Sequence, residues 1–372
     1  MKTSLFIALS IIVAALVPAS AKPQNVYFGT GGKGAEGIYR ATFDAETGKL
    51  TPSTLAAEIG SPGFLAAHPS ENVLYAVARW DKASGVVGYQ IDKDGSLTEF
   101  TRMENSDGGG AHIAVHPSGK FLLTAQYGGG STALFPLDAD GNLGEPTIHE
   151  HEGGSRVVEK RQESPHPHWC GFSPDGNYAF VPDLGLDQIV IYKIDLDEPS
   201  ITPHGFADSV PGGGPRHMRF STDGIFIYLL NELSLSVTTF AWDPETGTAT
   251  RLTTTPALSE ETKAAESFNS AAEILVHPGG KFVYSSNRGH DTVTVYEADP
   301  ATGELEVIQV QPIRGAFPRN INLDPTGTWL LAAGADSGTI AAHSIDPDTG
   351  KLTYQRGAII QVPAPICILF AK

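Results

Sequence analysis

Apolar and polar residues alternate along this chain in short runs broken by turn residues, and the runs recur. AAHPSENVLYAV from Ala66, AVHPSGKFLLTA from Ala114, GFSPDGNYAFVP from Gly171, RFSTDGIFIYLL from Arg219, LVHPGGKFVYSS from Leu275 and NLDPTGTWLLAA from Asn322 share one pattern of apolar run, tight turn and apolar run. With His68, His116, Ser173, Ser221, His277 and Asp324 as landmarks, the intervals are 48, 57, 48, 56 and 47 residues. Each copy continues with an alternating run such as GVVGYQID, QIVIYKID, TVTVYEAD or TIAAHSID, then a turn rich in Asp and Gly, then a last run. Period-two alternation bounded by Asp, Pro and Gly marks strands joined by hairpins, so each copy predicts four antiparallel strands.

The two ends of the chain hold fragments of one further copy. NVYFGT, GIYRATF and KLTPSTL supply three strands near the N-terminus, and APICILFA supplies a lone strand near the C-terminus. Joined, they bring the count to seven. The fold expected is all-β, a seven-bladed β-propeller whose ring closes by pairing the N-terminal strands with the C-terminal strand. Closure removes the free sheet edges an open array would leave.

Residues 1–21 are set apart from this pattern. Lys2, an apolar run from Leu5 to Leu16, Pro18 and Ala19-Ser20-Ala21 form the pattern of a secretory signal cut after Ala21, which leaves 22–372 as a single propeller domain exported to the periplasm or beyond. The apolar run is too short to span a bilayer comfortably, and no later segment is apolar enough to do so. The 42 acidic residues outnumber the 25 Lys and Arg, for a net charge of −17. Such a surface repels nucleic acid and anionic lipid, so neither is expected as a partner. An anionic small molecule would need a local cluster of Arg and His. Cys170 and Cys367 fall on innermost strands of blades well apart, whereas a disulfide needs Cα atoms within about 7 Å. Both are expected as buried free thiols.

No GxSxG, GxGxxG, HExxH or CxxC is present, and the DxDG turns lack the distant Glu of a calcium loop. Neither a metal nor a cofactor is expected. The repeated His-Pro at 68, 116 and 277 reads as scaffold. Positions that differ between copies carry more information. Because the first two strands of a copy are antiparallel, the start of the first and the end of the second meet at one mouth of the central channel. Five residues before the landmarks stand Gly63, Ala111, His168, Arg216, Ala272 and Arg319; one residue further in stand Phe64, His112, Trp169, His217, Glu273 and Asn320. The second strands end near Arg79, Gln126-Tyr127, Asp183, Asn231-Glu232 and Asn287-Arg288. One rim therefore collects His112, His168, His217, Arg216, Arg288, Arg319, Glu232, Glu273, Tyr127 and Asn231. The two long intervals add HEGGSRVVEKRQESPHPH before His168 and LSEETKAAESFNS before Ala272 on the same face, as binding or lid loops. The second predicts a short helix capped by Ser259.

QESPHPHWCGFSPDG, VPDLGLDQIVIYKID, GPRHMRFSTDG, YLLNELSLSV, AAEILVHPGGKFVYSSNRG and FPRNINLDPTG resemble the seven-bladed propeller lactonases, the family of bacterial 6-phosphogluconolactonase and fungal 3-carboxymuconate lactonizing enzyme. The similarity spans essentially all of 22–372, departing at Gln126, where the family's NYGGG reads QYGGG. The resemblance implies a site of His168 in PHPH, Arg216 in GPRH, Glu232 in NEL and Arg288 in SNRG. The activity expected is metal-free hydrolysis of a sugar or sugar-acid lactone. His168 would act as base, Arg216 and Arg288 would hold a carboxylate or phosphate and the developing oxyanion, and Glu232 would orient them or shuttle a proton. His112, Tyr127, His217, Asn231, Glu273 and Arg319 would bind substrate around them. Two alternatives stay open: cyclisation of an unsaturated dicarboxylate by the same groups, and an exported binding or scaffold propeller without catalysis.

Overall fold

A computed structural model describes residues 23–371, so the signal segment expected at 1–21 lies outside the described residues. Seven antiparallel sheets stand around a central channel. Six are consecutive in sequence, the first spanning residues 65–104 and the last 318–361, each with its four strands hydrogen-bonded in chain order. The seventh is composite. Its innermost strand, Pro365–Phe370, pairs with Gln24–Thr30, matching Val26 to Phe370, Phe28 to Ile368 and Gly29 to Cys367. Gly37–Asp44 follows, and the outermost strand is split into Lys49–Leu50 and Thr54–Glu58, both on Gly37–Asp44. The ring closes between the two ends of the chain, as the fragments predict.

Sequence pattern and position in the blade correspond. Second strands such as FLLTAQ, FIYLLN and WLLAAG are buried at every residue because neighbouring blades cover both faces. Outermost strands such as Thr248–Pro256 face solvent and contain no buried residue. The core is accordingly a series of slabs between blades. One of them packs Phe180, Ile191, Met218, Leu229, Phe240 and Trp242. At about 25 cal/mol per Å² of apolar surface removed from water, these slabs dominate the stability of the ring.

The His-Pro repeat joins blade to blade. His68, His116 and His277 place Nε2 at 3.3, 3.0 and 2.8 Å from the carbonyl oxygens of Gly119, Gly176 and Gly327, each in the equivalent turn of the next blade. Cys170 and Cys367 are buried and free. The predicted helix forms over Glu260–Ala265, with Ser259 Oγ accepting from the Thr262 N–H at 3.1 Å.

Candidate active site

Backbone irregularity builds the channel mouth. In the innermost strand Pro215–Phe220, Pro215 pairs with Asn231 and His217 with Leu230, so Arg216 is an extra residue in the ladder. Pro318–Leu323 repeats this, with Pro318 opposite Gly334, Asn320 opposite Ala333 and Arg319 extra. Ser270–Val276 slips register at Ala272 and Glu273. A bulge bends its strand and re-aims the side chain it carries. Arg216 and Arg319 accordingly line a cavity of about 270 Å³ at the mouth, together with His168, Arg79 and Phe64. That volume lies near the lower end of the ~300–1,000 Å³ typical of ligand pockets and suits a small molecule.

Glu232 organises one wall. Its Oε2 accepts from Arg216 Nε at 3.0 Å and lies 3.1 Å from Arg288 Nη2, while Oε1 accepts from Arg161 Nη2 at 2.7 Å. Glu232, Arg216 and Arg288 are 6%, 0% and 5% exposed, so these charges interact with little screening by water. Burial alone would raise the pKa of the Glu232 carboxyl. The charges of Arg288 and Arg216 and the bond from Arg161 outweigh that and hold it well below the usual carboxylate range. Burial, then repulsion from Arg288, pushes Arg216 down to about 9, which leaves it charged at neutral pH. Arg216 Nη1 also donates to the Ala272 carbonyl, and Arg288 Nη2 to that of Ala271 at 2.8 Å. Arg216 Nη2 and Arg288 Nε have no partner among the described residues.

His168 completes this wall. Its Nε2 is 3.9 Å from Glu232 Oε2, beyond hydrogen-bond length but well within the field of the carboxylate, and its Nδ1 has no partner. Burial, then the Arg216 charge, lowers its pKa well below 6.5, so the ring is neutral at pH 7. The carboxylate favours the tautomer with its proton on Nε2, which makes Nδ1 a free lone pair. Tyr127 sets its ring edge-on to His168 at 5.3 Å and stacks on His166 at 4.6 Å, and its carbonyl oxygen lies 2.9 Å from His166 Nδ1.

The residues expected on one rim thus separate into two layers. His168, Arg216 and Arg319 line the cavity, with Glu232 and Arg288 directly behind. His112, His217 and Glu273 stand one residue further along their strands, a step of roughly 3.3 Å, and fill the channel below. Glu273 Oε1 meets His217 Nδ1 at 2.9 Å and Arg219 Nη2 at 3.0 Å, and its Oε2 accepts from Asn320 Nδ2 at 2.7 Å. The His217 ring touches Phe64, His112 and His168 with centroids 5.7, 5.4 and 5.4 Å away. Asn231 is fully buried, bonded to Ser236 and Thr238 of its own blade and to Ser209 just after the outermost strand of the preceding one.

Four residues of these layers escaped the sequence reading. Arg161 lies in the first insertion, and nothing in the sequence distinguishes it from Arg156 or Lys160. Its place is fixed by the neighbouring Gln162, which is fully buried and donates to the Leu184 carbonyl at 2.9 Å and Asp187 Oδ1 at 2.5 Å. Arg219 was detectable, because the equivalent position reads Ala66, Ala114, Gly171, Leu275 and Asn322 in the other copies. Arg79 stood among the strand ends without being singled out. Phe317, at a left-handed φ of 61°, holds its ring 5.3 Å from the Arg288 guanidinium. A bulky side chain in that region is strained, and such strain concentrates at functional sites.

Among the described residues no cluster of three His, Cys, Asp or Glu side chains is arranged to hold a metal ion. Asp183 at the mouth is engaged by His151 Nδ1 at 2.8 Å and by the N–H groups of His166, Gly185 and Leu186.

A seven-bladed propeller with a small arginine-lined cavity at its channel mouth is the class that fold and site define. Residues 25–370 match the family model described as lactonase, 7-bladed beta-propeller, and the chain belongs to that family. It is 34% identical over 346 residues to the 6-phosphogluconolactonase of Bacillus subtilis (strain 168), covering 92% of this chain and 97% of that one. Identity to the 6-phosphogluconolactonase of Formosa agariphila is 32%, covering 86% and 91%. The solved structure of a periplasmic gluconolactonase from Pseudomonas aeruginosa superposes with a TM-score of 0.86 at 27% identity, covering 94% of this chain and 99% of that one.

Proposed function

We propose that the chain hydrolyses a sugar or sugar-acid lactone at this mouth without a metal or cofactor. The observation that carries this reading is the pair of unpartnered buried nitrogens, His168 Nδ1 and Arg216 Nη2, on residues that line the same cavity. A buried donor or acceptor left unpaired costs about 1–3 kcal/mol. Two on residues lining one cavity are explained by a ligand that satisfies both. The names of the two relatives support the reaction class.

In this mechanism His168 Nδ1 takes a proton from a water whose oxygen attacks the lactone carbonyl carbon. Arg216 Nη2 then meets the oxyanion that forms, a donor worth ~3 kcal/mol in a site closed to water. Collapse of the intermediate breaks the ring C–O bond, and the imidazolium returns its proton to the departing oxygen. Glu232 acts through others: it fixes the Arg216 and Arg288 guanidinium groups and holds the His168 tautomer. The periplasmic gluconolactonase supports an exported setting, consistent with the signal pattern at 1–21.

Purified protein is expected to open aldonolactones faster than buffer, with no loss in chelator, and His168→Ala is expected to lose that activity while melting like the parent. No turnover of any lactone, or a fully active His168→Ala, contradicts the proposal. Cyclisation of a carboxymuconate in place of lactone opening would assign the same groups to the opposite reaction.

A further inference from the structure

The arginines of the mouth are not equivalent. Arg161, Arg216 and Arg288 are all tied to Glu232. Arg79 and Arg319 line the same cavity, yet neither guanidinium makes a hydrogen bond or an ion pair with any described residue. They come from the first and last of the six consecutive blades, on either side of the composite blade that carries Gly31 and Ile366. That stretch of rim is made of small groups. Gly31, Ser61 and Gly63 line it, and a Cβ on Gly31 would come within 2.7 Å of Ile366 Cδ1. The neighbouring Gly109 lets the chain pass against Arg79, because a Cβ there would lie 3.2 Å from its Nη2. Like charges gathered at one cavity repel, and the Arg319 charge disfavours the charged forms of Arg216 and Arg288 and the protonated form of His168. Two unneutralised guanidinium groups facing a recess, in a protein with a net charge of −17, match an anion that the protein itself does not supply.

We infer that Arg79 and Arg319 form a subsite for a second anionic group of the substrate, a phosphate or carboxylate carried away from the lactone carbonyl. The inference rests on the lactonase reading for the position of the carbonyl, at His168 and Arg216. It reassigns the anion clamp from Arg216 and Arg288, which Glu232 occupies, to the facing side of the cavity. Arg79 is then a specificity residue, a fork suited to planar or tetrahedral oxyanions.

The test compares kcat/KM on glucono-1,5-lactone, 6-phosphoglucono-1,5-lactone and a glucarolactone for the parent, Arg79→Gln and Arg319→Gln. The expected result is a fall of about tenfold or more in the preference for an anionic over the neutral lactone, carried by KM, since a charge-assisted hydrogen bond is lost. A response confined to the phosphorylated lactone identifies a phosphate subsite, and one confined to the glucarolactone a carboxylate subsite. Arg79→Lys, which keeps the charge, is expected to retain part of the preference. An unchanged preference in both Gln variants, in proteins that melt like the parent, overturns the inference. Calorimetry with 6-phosphogluconate and glucarate separates the two proposals: binding weakened by Arg79→Gln without any lactone turnover keeps the subsite and removes the lactonase reading. Turnover with an unchanged preference does the reverse.

Discussion

Glu232 and Glu273 are near-twins in composition but differ in how fully their surroundings are bonded. Each is a buried carboxylate on a neighbouring blade, each faces a histidine, and each is held by arginine. Around Glu273 nearly every group is satisfied: one oxygen serves His217, Arg219 and the Ile274 N–H, and the other takes Asn320. Around Glu232 the arginines are pinned at one end and open at the other, with Arg216 Nη2, Arg288 Nε and His168 Nδ1 lacking partners. In the lower layer His217 Nε2 and Trp169 Nε1 lack partners among the described residues, on side chains that do not line the cavity. Residue type and burial therefore do not distinguish a site from a plug. What sets the proposed site apart is unfilled hydrogen-bonding capacity on residues beside a cavity.

The contrast sets an order of effects on turnover. Removing the lone pair by His168→Gln is expected to lower kcat by about 10²–10⁴-fold, the usual contribution of a general base, with the melting temperature little changed. A loss below tenfold would move the base elsewhere. Arg161→Gln removes one of three cations on Glu232, from a side chain 36% exposed, and is expected to lower kcat/KM only about three- to tenfold. Glu273→Gln reverses the balance between chemistry and stability. It leaves the charge of Arg219 unanswered beside a packed layer and is expected to cost ~3–5 kcal/mol in urea unfolding, while kcat/KM stays within about threefold. Equal damage to turnover from Glu273→Gln and His168→Gln would erase the distinction between the layers.

The remaining prediction concerns stability against pH and not turnover. His112, His168 and His217 are all held well below 6.5, by burial first and then by neighbouring positive groups. The unfolded chain takes up protons near 6.5 while the folded one does not, so stability is complete above that pH and lost as pH falls through it. Three such groups give a slope of up to about 4 kcal/mol per pH unit. Glu232, depressed in the fold, adds a loss in the same direction at lower pH, once unfolded carboxyls protonate near ~4.3. Urea midpoints at pH 7.5, 6 and 5 measure this; constant midpoints would show that the histidines carry charge in the folded state.

The fold was legible because seven copies repeat one alternation, and the ring closure because the partial copies at the ends are complementary. The rim could be read from the copy-to-copy differences, and the family resemblance at GPRH, NEL, SNRG and PHPH singled out Glu232 and the three residues that meet around it, His168, Arg216 and Arg288. The separation into layers could not. It depends on bulges at Arg216 and Arg319, and a one-residue register slip leaves no trace in an apolar pattern. Arg161 was hidden for another reason, since its position follows from Gln162 bonding across the loop to Leu184 and Asp187.

The most direct test is a crystal structure with an aldonate, the ring-opened acid, bound. Its carboxylate is expected to accept from Arg216 Nη2, with the hydroxyl released by ring opening within donating distance of His168 Nδ1, in the cavity above Phe64. An aldonate seated instead at the opposite end of the channel, against Trp169, Phe172 and Phe220, would contradict the assignment of the active site.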